Sequence, residues 1–126
     1  MSDARERRRH YRLRYPVDGR PLVAVTGVDR RLAEVSVRGL RFVAPPGAYL
    51  EGQVVRVELK VFGHPVLAIP EAVVLRVEGD ECAVWLTEEI DHAVILREQR
   101  RIIRRARMEN DADTLNLLRT WPARSG

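Results

Sequence analysis

Cysteine is almost absent: Cys82 stands alone among 126 residues. A single thiol closes no intramolecular disulfide, so the fold has to rest on burial. Cys82 lies in an apolar run and reads as a buried, inert thiol rather than a redox centre. His10, His64 and His92 have no ligand-like spacing and no cysteine pair beside them, which argues against a structural or catalytic metal. No apolar run approaches the roughly 18 residues of a spanning helix. The N-terminus is charged with no apolar stretch behind it, so export is not signalled and the cytoplasm is the expected location. Also missing are a phosphate-cradling glycine loop, a nucleophile–base pair and a two-carboxylate site. Asp80/Glu81 and Glu88/Glu89 read as turn and helix-start acids, and no catalysis is expected.

Lysine is nearly missing as well. Of 22 cationic residues only Lys60 is not arginine. The fixed guanidinium fork suits bidentate recognition of planar acceptors, although a composition bias yields the same skew. Position is more telling than identity. Residues 1–14 hold six Arg against two acids, and residues 97–107 hold six Arg against one Glu. The stretch between them carries eight basic and twelve acidic groups, so an acidic-to-neutral body is flanked by two basic segments. Apolar content of 45% is enough for one domain to fold without a partner.

The chain divides into an arm (1–14), a body (15–107) and a tail (108–126). The arm lacks periodicity and is expected to be exposed and flexible until something neutralises it. From Pro16 to about Leu86 short β-prone runs alternate with turns. Leu22 to Val25 ends at Thr26-Gly27, and Leu32 to Val37 runs into Arg38-Gly39. Leu40 to Val43 precedes Pro45-Pro46-Gly47. Val55, Val57, Leu59 and Val61 alternate with Arg56, Glu58, Lys60 and Phe62, the period of a strand with one buried face. The run from Val66 to Val77 contains Pro70, which predicts an edge or a bend there. Glu78-Gly79-Asp80 turns into Cys82 to Leu86, where Trp85 reads as core. About six antiparallel strands at short spacing predict a small barrel or sandwich.

After Thr87 the period becomes helical. Ile90, Val94, Ile95, Leu96, Ile102, Ile103 and Ala106 fall mostly on one stripe, giving a helix over 90–107 that packs across one mouth of the barrel. Glu88, Glu89 and Asp91 at its start and Arg104, Arg105 and Arg107 at its end suit the helix dipole. Asp113 to Trp121 reads as a short amphipathic helix that caps the body or meets a partner, or as a loose tail.

Two motifs carry the chemistry. Arg8 and Arg12 stand four apart in the arm, with Arg7 and Arg9 beside them. Later, Glu34, Ser36 and Gly39 combine an acceptor, a hydroxyl and a glycine where an apolar strand turns. Guanidinium forks recognise phosphate and the acceptor edge of guanine, and a carboxylate with a hydroxyl suits its donor edge. Either motif alone is common, and an arginine-rich arm by itself is usually a solvated tail that binds polyanions loosely.

The order and separation of the two, with the β-pattern and the closing helix, resemble the RxxxR and [D/N]xSxxG signature of the PilZ domain, over roughly residues 5–105. The resemblance implies a mainly β fold: a six-stranded antiparallel, Greek-key-like β-barrel with a C-terminal α-helix. It implies a receptor for cyclic di-GMP, with no other cofactor and no metal. Arg8 and Arg12 would contact phosphates and guanine, joined by Arg9, while Glu34, Ser36 and Gly39 form the opposing wall. Arg38 and Arg76 are secondary candidates, Arg76 for want of an aromatic on the penultimate strand.

In the family an arginine at the place of Arg7 tends to accompany an intercalated ligand dimer, whose four phosphates need an extra cation. Glu34 departs from the family's Asp or Asn by one methylene, which moves the carboxylate outward. The function so implied is a cyclic di-GMP effector that orders its arm on the ligand and signals to a downstream protein. The rival readings are a PilZ-like interaction module that binds no nucleotide and a basic-arm nucleic-acid binder, the latter less favoured.

Overall fold

A computed structural model describes residues 12–60 and 66–108. Within them lie seven strands: β1 (Leu13–Arg14), β2 (Leu22–Val25), β3 (Val28–Val35), β4 (Gly39–Val43), β5 (Val54–Lys60), β6 (Leu67–Glu78) and β7 (Glu81–Leu86). One helix, α1 (His92–Met108), follows, and a single 3₁₀ turn, Val17–Gly19, separates β1 from β2. Arg7, Arg8, Arg9 and the segment 109–126 lie outside the described residues.

All pairings are antiparallel. The strands run β3-β2-β5-β6-β7-β4, and β4 pairs back with β3 to close a six-stranded barrel. Strands β5, β6 and β7 form a meander, while β4 lies beside β7 rather than β5, which is the Greek-key arrangement. Closure satisfies the ladder hydrogen bonds that an open sheet would leave at its edges. The short β1 pairs with β3 ahead of the ring: Leu13 is opposite Val35 and Arg14 opposite Glu34.

Alternation decides which side chains fill the barrel. On β5, Val55, Val57 and Leu59 are buried, whereas Val54, Arg56 and Lys60 face out. Leu13, Val23, Leu32, Phe42, Val74 and Leu86 complete the middle of the core. Phe42 meets Tyr49 edge to face, with ring centroids 5.3 Å apart. Cys82 is buried, and burial pushes its thiol pKa upward, as an inert core thiol requires.

Three local features differ from or refine the sequence expectation. Strand β3 begins at Val28, four residues before the apolar run, because Thr26 and Gly27 both take positive φ (47° and 86°) and form a two-residue hairpin turn. Asp29, Arg30 and Arg31 are thus strand residues with side chains in solvent or on neighbours; Asp29 pairs with Lys60 at 3.0 Å. Pro70 lies within β6, where the β5 register shifts between Val55 and Val57, so the irregularity falls beside the residue that cannot donate. The helix starts at His92, leaving Glu88 and Glu89 outside it. Asp91 is its cap, with Oδ1 accepting the Ala93 N–H at 2.9 Å.

Helix α1 buries Ile95, Ile102 and Ala106 against the barrel, and Ile90 seals the approach. Its same face carries Glu98, which is 1% exposed. Glu98 Oε2 accepts from Arg101 Nε at 2.8 Å, and Oε1 accepts from Arg101 Nη2 and from the Tyr15 hydroxyl, both at 3.0 Å. Burial and the Glu98 charge push the Tyr15 pKa upward.

Candidate functional site

The site is assembled by register. Antiparallel pairing of Leu13 with Val35 and Arg14 with Glu34 brings Arg12, one residue earlier, opposite Ser36. The base of the arginine arm therefore lies beside the second motif, and Arg12 is exposed. Leu13 points into the core and Arg14 outward, so β1 is fixed by its buried residue while its charged one faces Glu34.

Ser36 opens the turn between β3 and β4. Its N–H donates to Gly39 O at 2.9 Å, and its hydroxyl donates to the same oxygen at 3.3 Å. The hydroxyl lone pairs remain able to accept. Gly39 is required by close approach rather than by unusual φ. A Cβ there would meet Val84 O at 3.2 Å, so the β7 backbone would have to give way by a few tenths of an ångström, while Ser36 Oγ at 3.5 Å would be an ordinary contact.

Beside the turn the outer face carries a mostly charged row across five strands: Arg14, Glu34, Arg41, Ala83 and Arg76 are successive cross-strand neighbours. The Glu34 carboxylate lies 3.8 Å from Arg14 Nη1 and 3.9 Å from Arg41 Nε, too far for a good hydrogen bond to either. Both arginines are engaged elsewhere. Arg14 grips Glu81 with two bonds of 2.7 and 3.2 Å, and Arg41 donates to Glu78 at 3.1 Å. The Arg14 bond holds the Glu81 carboxyl below its ordinary pKa, and the same bond raises the arginine's. Glu34 thus sits between two guanidiniums with its oxygens still able to accept.

A second row, one pleat along, runs Ser36, Gly39, Trp85, Val73 and Val54. Trp85 corrects the expectation from sequence: it is not core but 43% exposed on the outer face. The apolar run Cys82-Ala83-Val84-Trp85-Leu86 gives no polar marker of parity, and it is Cys82, Val84 and Leu86 that point inward. Arg38 stacks over the indole, its Cζ 5.2 Å from the ring centroid. It also donates to Leu86 O and Thr87 O, each at 3.2 Å, and lies 3.5 Å from Glu89. Arg38 is therefore a staple between the β3–β4 turn and the end of β7.

Of the residues expected from sequence, Arg12, Glu34, Ser36 and Gly39 share one face. Arg38 is at the same turn with its Nη1 and Nε engaged by Leu86, Thr87 and Glu89. Arg76 lies at the far end of the charged row, largely exposed and 3.6 Å from Glu78. Sequence reading passed over Arg14, Arg41 and Trp85. Alternation signals the first two, since each stands two residues beyond a motif member, whereas nothing local signals Trp85. Planar and anionic groups suit such a face: donors at its rim, acceptors in its centre, and an aromatic beside a glycine gap.

The closed six-stranded barrel with a C-terminal helix defines the class of fold, and it presents this charged and aromatic face to solvent. The family model of the PilZ domain matches residues 6–105, and the chain belongs to that family. PilZ domains are known as cyclic di-GMP-binding and adaptor modules and are generally not enzymes. No curated protein matches the chain. Among the described residues no helix is long and apolar enough to cross a membrane.

Proposed function

We propose that this chain is a cytoplasmic cyclic di-GMP effector whose arginine arm closes over the ligand and thereby signals to a downstream protein. The observation that carries this reading is the β1–β3 register, which brings Arg12 opposite Ser36 and beside Glu34. In the proposed complex Arg8, Arg9 and Arg12 clamp phosphates and the acceptor edge of a guanine, as guanidinium forks do. Glu34 accepts from the ring N–H and exocyclic amine of that base, Ser36 supports the contact, and Gly39 leaves room for it. The indole of Trp85, beside Gly39, offers a stacking surface to the same ligand. Arg7 adds the charge that a stacked ligand dimer requires, so two ligands bind per chain.

Free, the arm is kept open by repulsion among its own guanidiniums. Bound, it is neutralised and ordered against the barrel, which creates a new surface for a protein partner. Titration calorimetry of the full chain with cyclic di-GMP tests the proposal. Saturable binding with a stoichiometry near two, lost in Arg8→Ala and in Arg12→Ala, is expected. Absence of heat at high micromolar ligand would instead mark an interaction module that binds no nucleotide. Strongly salt-dependent binding to any RNA or DNA, with no preference for the cyclic dinucleotide, would mark a nucleic-acid binder.

A further inference from the structure

The exposed side of α1 carries a feature that neither barrel packing nor ligand binding uses. Arg97, Arg100, Arg104 and Arg107 are all exposed, and among the described residues none has a hydrogen-bond or ion-pair partner. At about 100° per residue they fall within a sector of about 80°, directly opposite the buried stripe of Ile95, Ile102 and Ala106. They extend over about 15 Å of helix. The helix contains one acid, Glu98, and that carboxylate is buried on Arg101 and Tyr15. Like charges at such spacings repel. The helix dipole accounts for cations in the last turn, but Arg97 lies in the first half and Arg100 at the midpoint, where it gives them no advantage.

We infer that this stripe is a docking face for an acidic helix of a partner protein. The inference deepens the proposed signalling role by naming the chemistry of the partner, and it rests on that role. Two further observations favour a protein over a nucleic acid. First, half-buried Leu96 and Ile103, seven residues apart, run alongside the arginines and supply an apolar edge that a phosphate backbone cannot use. Second, exposed Glu88, Glu89 and Asp91 lie immediately before the N-terminal end of the stripe. A uniform polyanion tracking the arginines meets repulsion there, whereas a helix can answer with acids along its length and a basic residue at one end. Carboxylates spaced i, i+3, i+7 and i+10 match the guanidiniums, and apolar residues between them cover Leu96 and Ile103.

The test uses the full chain and two synthetic helical peptides of identical composition. One carries glutamates at the matching spacing and lysines at one end; the other is scrambled. Binding is followed by fluorescence anisotropy, with and without cyclic di-GMP, beside a short DNA duplex and vesicles of phosphatidylglycerol and phosphatidylcholine. The matched peptide is expected to bind at least about tenfold more tightly than the scrambled one, in either nucleotide condition. The Arg97→Glu/Arg104→Glu variant, at exposed positions with no hydrogen-bond or ion-pair partner among the described residues, should lose that preference while its thermal melt is unchanged. Equal binding of the two peptides, tighter binding to DNA or vesicles, or indifference to the charge reversal would overturn the inference. Binding measured without nucleotide keeps a failure here separate from a failure of cyclic di-GMP to bind.

Discussion

Two glutamates meet the short segment 12–15 from opposite sides. Glu98 reaches it from the helix, inside the core, and Glu34 from β3, on the outer face. Glu98 is 1% exposed and its carboxylate accepts three hydrogen bonds of 2.8 to 3.0 Å. Glu34 has two guanidiniums nearby but none closer than 3.8 Å. A buried carboxylate without matched donors is strongly destabilising, so Glu98 must be fully engaged for the fold to form. Glu34 is under no such demand. The same residue type serves structure where its acceptors are occupied and, in the proposed complex, recognition where they are not.

Removing each carboxylate should separate the two roles. Glu98→Ala leaves the Tyr15 hydroxyl without a buried acceptor and Arg101 without its counter-ion. Because Arg101 is partly exposed and can turn to water, a loss of about 2–3 kcal/mol is expected in urea denaturation. Glu34→Ala should change stability by less than about 0.5 kcal/mol but weaken cyclic di-GMP by about 1–3 kcal/mol in calorimetry. Glu34→Asp sharpens the comparison: shortening the side chain draws the carboxylate toward the sheet, and affinity should rise. Equal stability losses at both positions would break the contrast.

Trp85→Leu should leave the fold intact and weaken the ligand by about 1 kcal/mol, at the lower end for base–aromatic stacking. In a Trp121→Phe background Trp85 is the sole tryptophan, so its emission should change on titration with cyclic di-GMP. A silent indole would remove it from the ligand surface. The smallest effect concerns Glu81. Its pKa is lowered by the Arg14 bond, so its contribution is present above the unfolded-state value and is lost as pH falls through the folded value. Stability should therefore decline from about pH 4.3 downward, by no more than about 1 kcal/mol from this group, and Glu81→Gln should flatten that part of the profile.

Where pattern and environment agree, the sequence is readable. The alternation from Val55 to Leu59, the helical stripe after Thr87 and the Glu34–Ser36–Gly39 motif each announce themselves within a few residues, and the structure contains them. What escaped depends on partners far along the chain. Arg14 finds Glu81 across 67 residues and Arg41 finds Glu78 across 37, contacts that exist only once the barrel has closed. The first half of β3 was hidden because Asp29-Arg30-Arg31 carries no apolar alternation, although on an outer face charges are compatible with a strand. Trp85 was hidden for the reverse reason, an all-apolar run on a strand with one wet face.

The two-residue strand β1 has a further consequence. Leu13 and Tyr15 are buried, and Arg14 between them faces outward. Tyr15 is seated by its hydroxyl on Glu98 and by its N–H on Ala33 O at 2.9 Å. The phase of Arg12 is thereby referenced to an indexing pin inside the protein. One amino acid inserted between Arg12 and Tyr15 would preserve the leader's charge, length scale and composition yet swing its cations half a pleat out of phase. Such a chain would keep its net charge, but it would no longer bring Arg12 opposite Ser36.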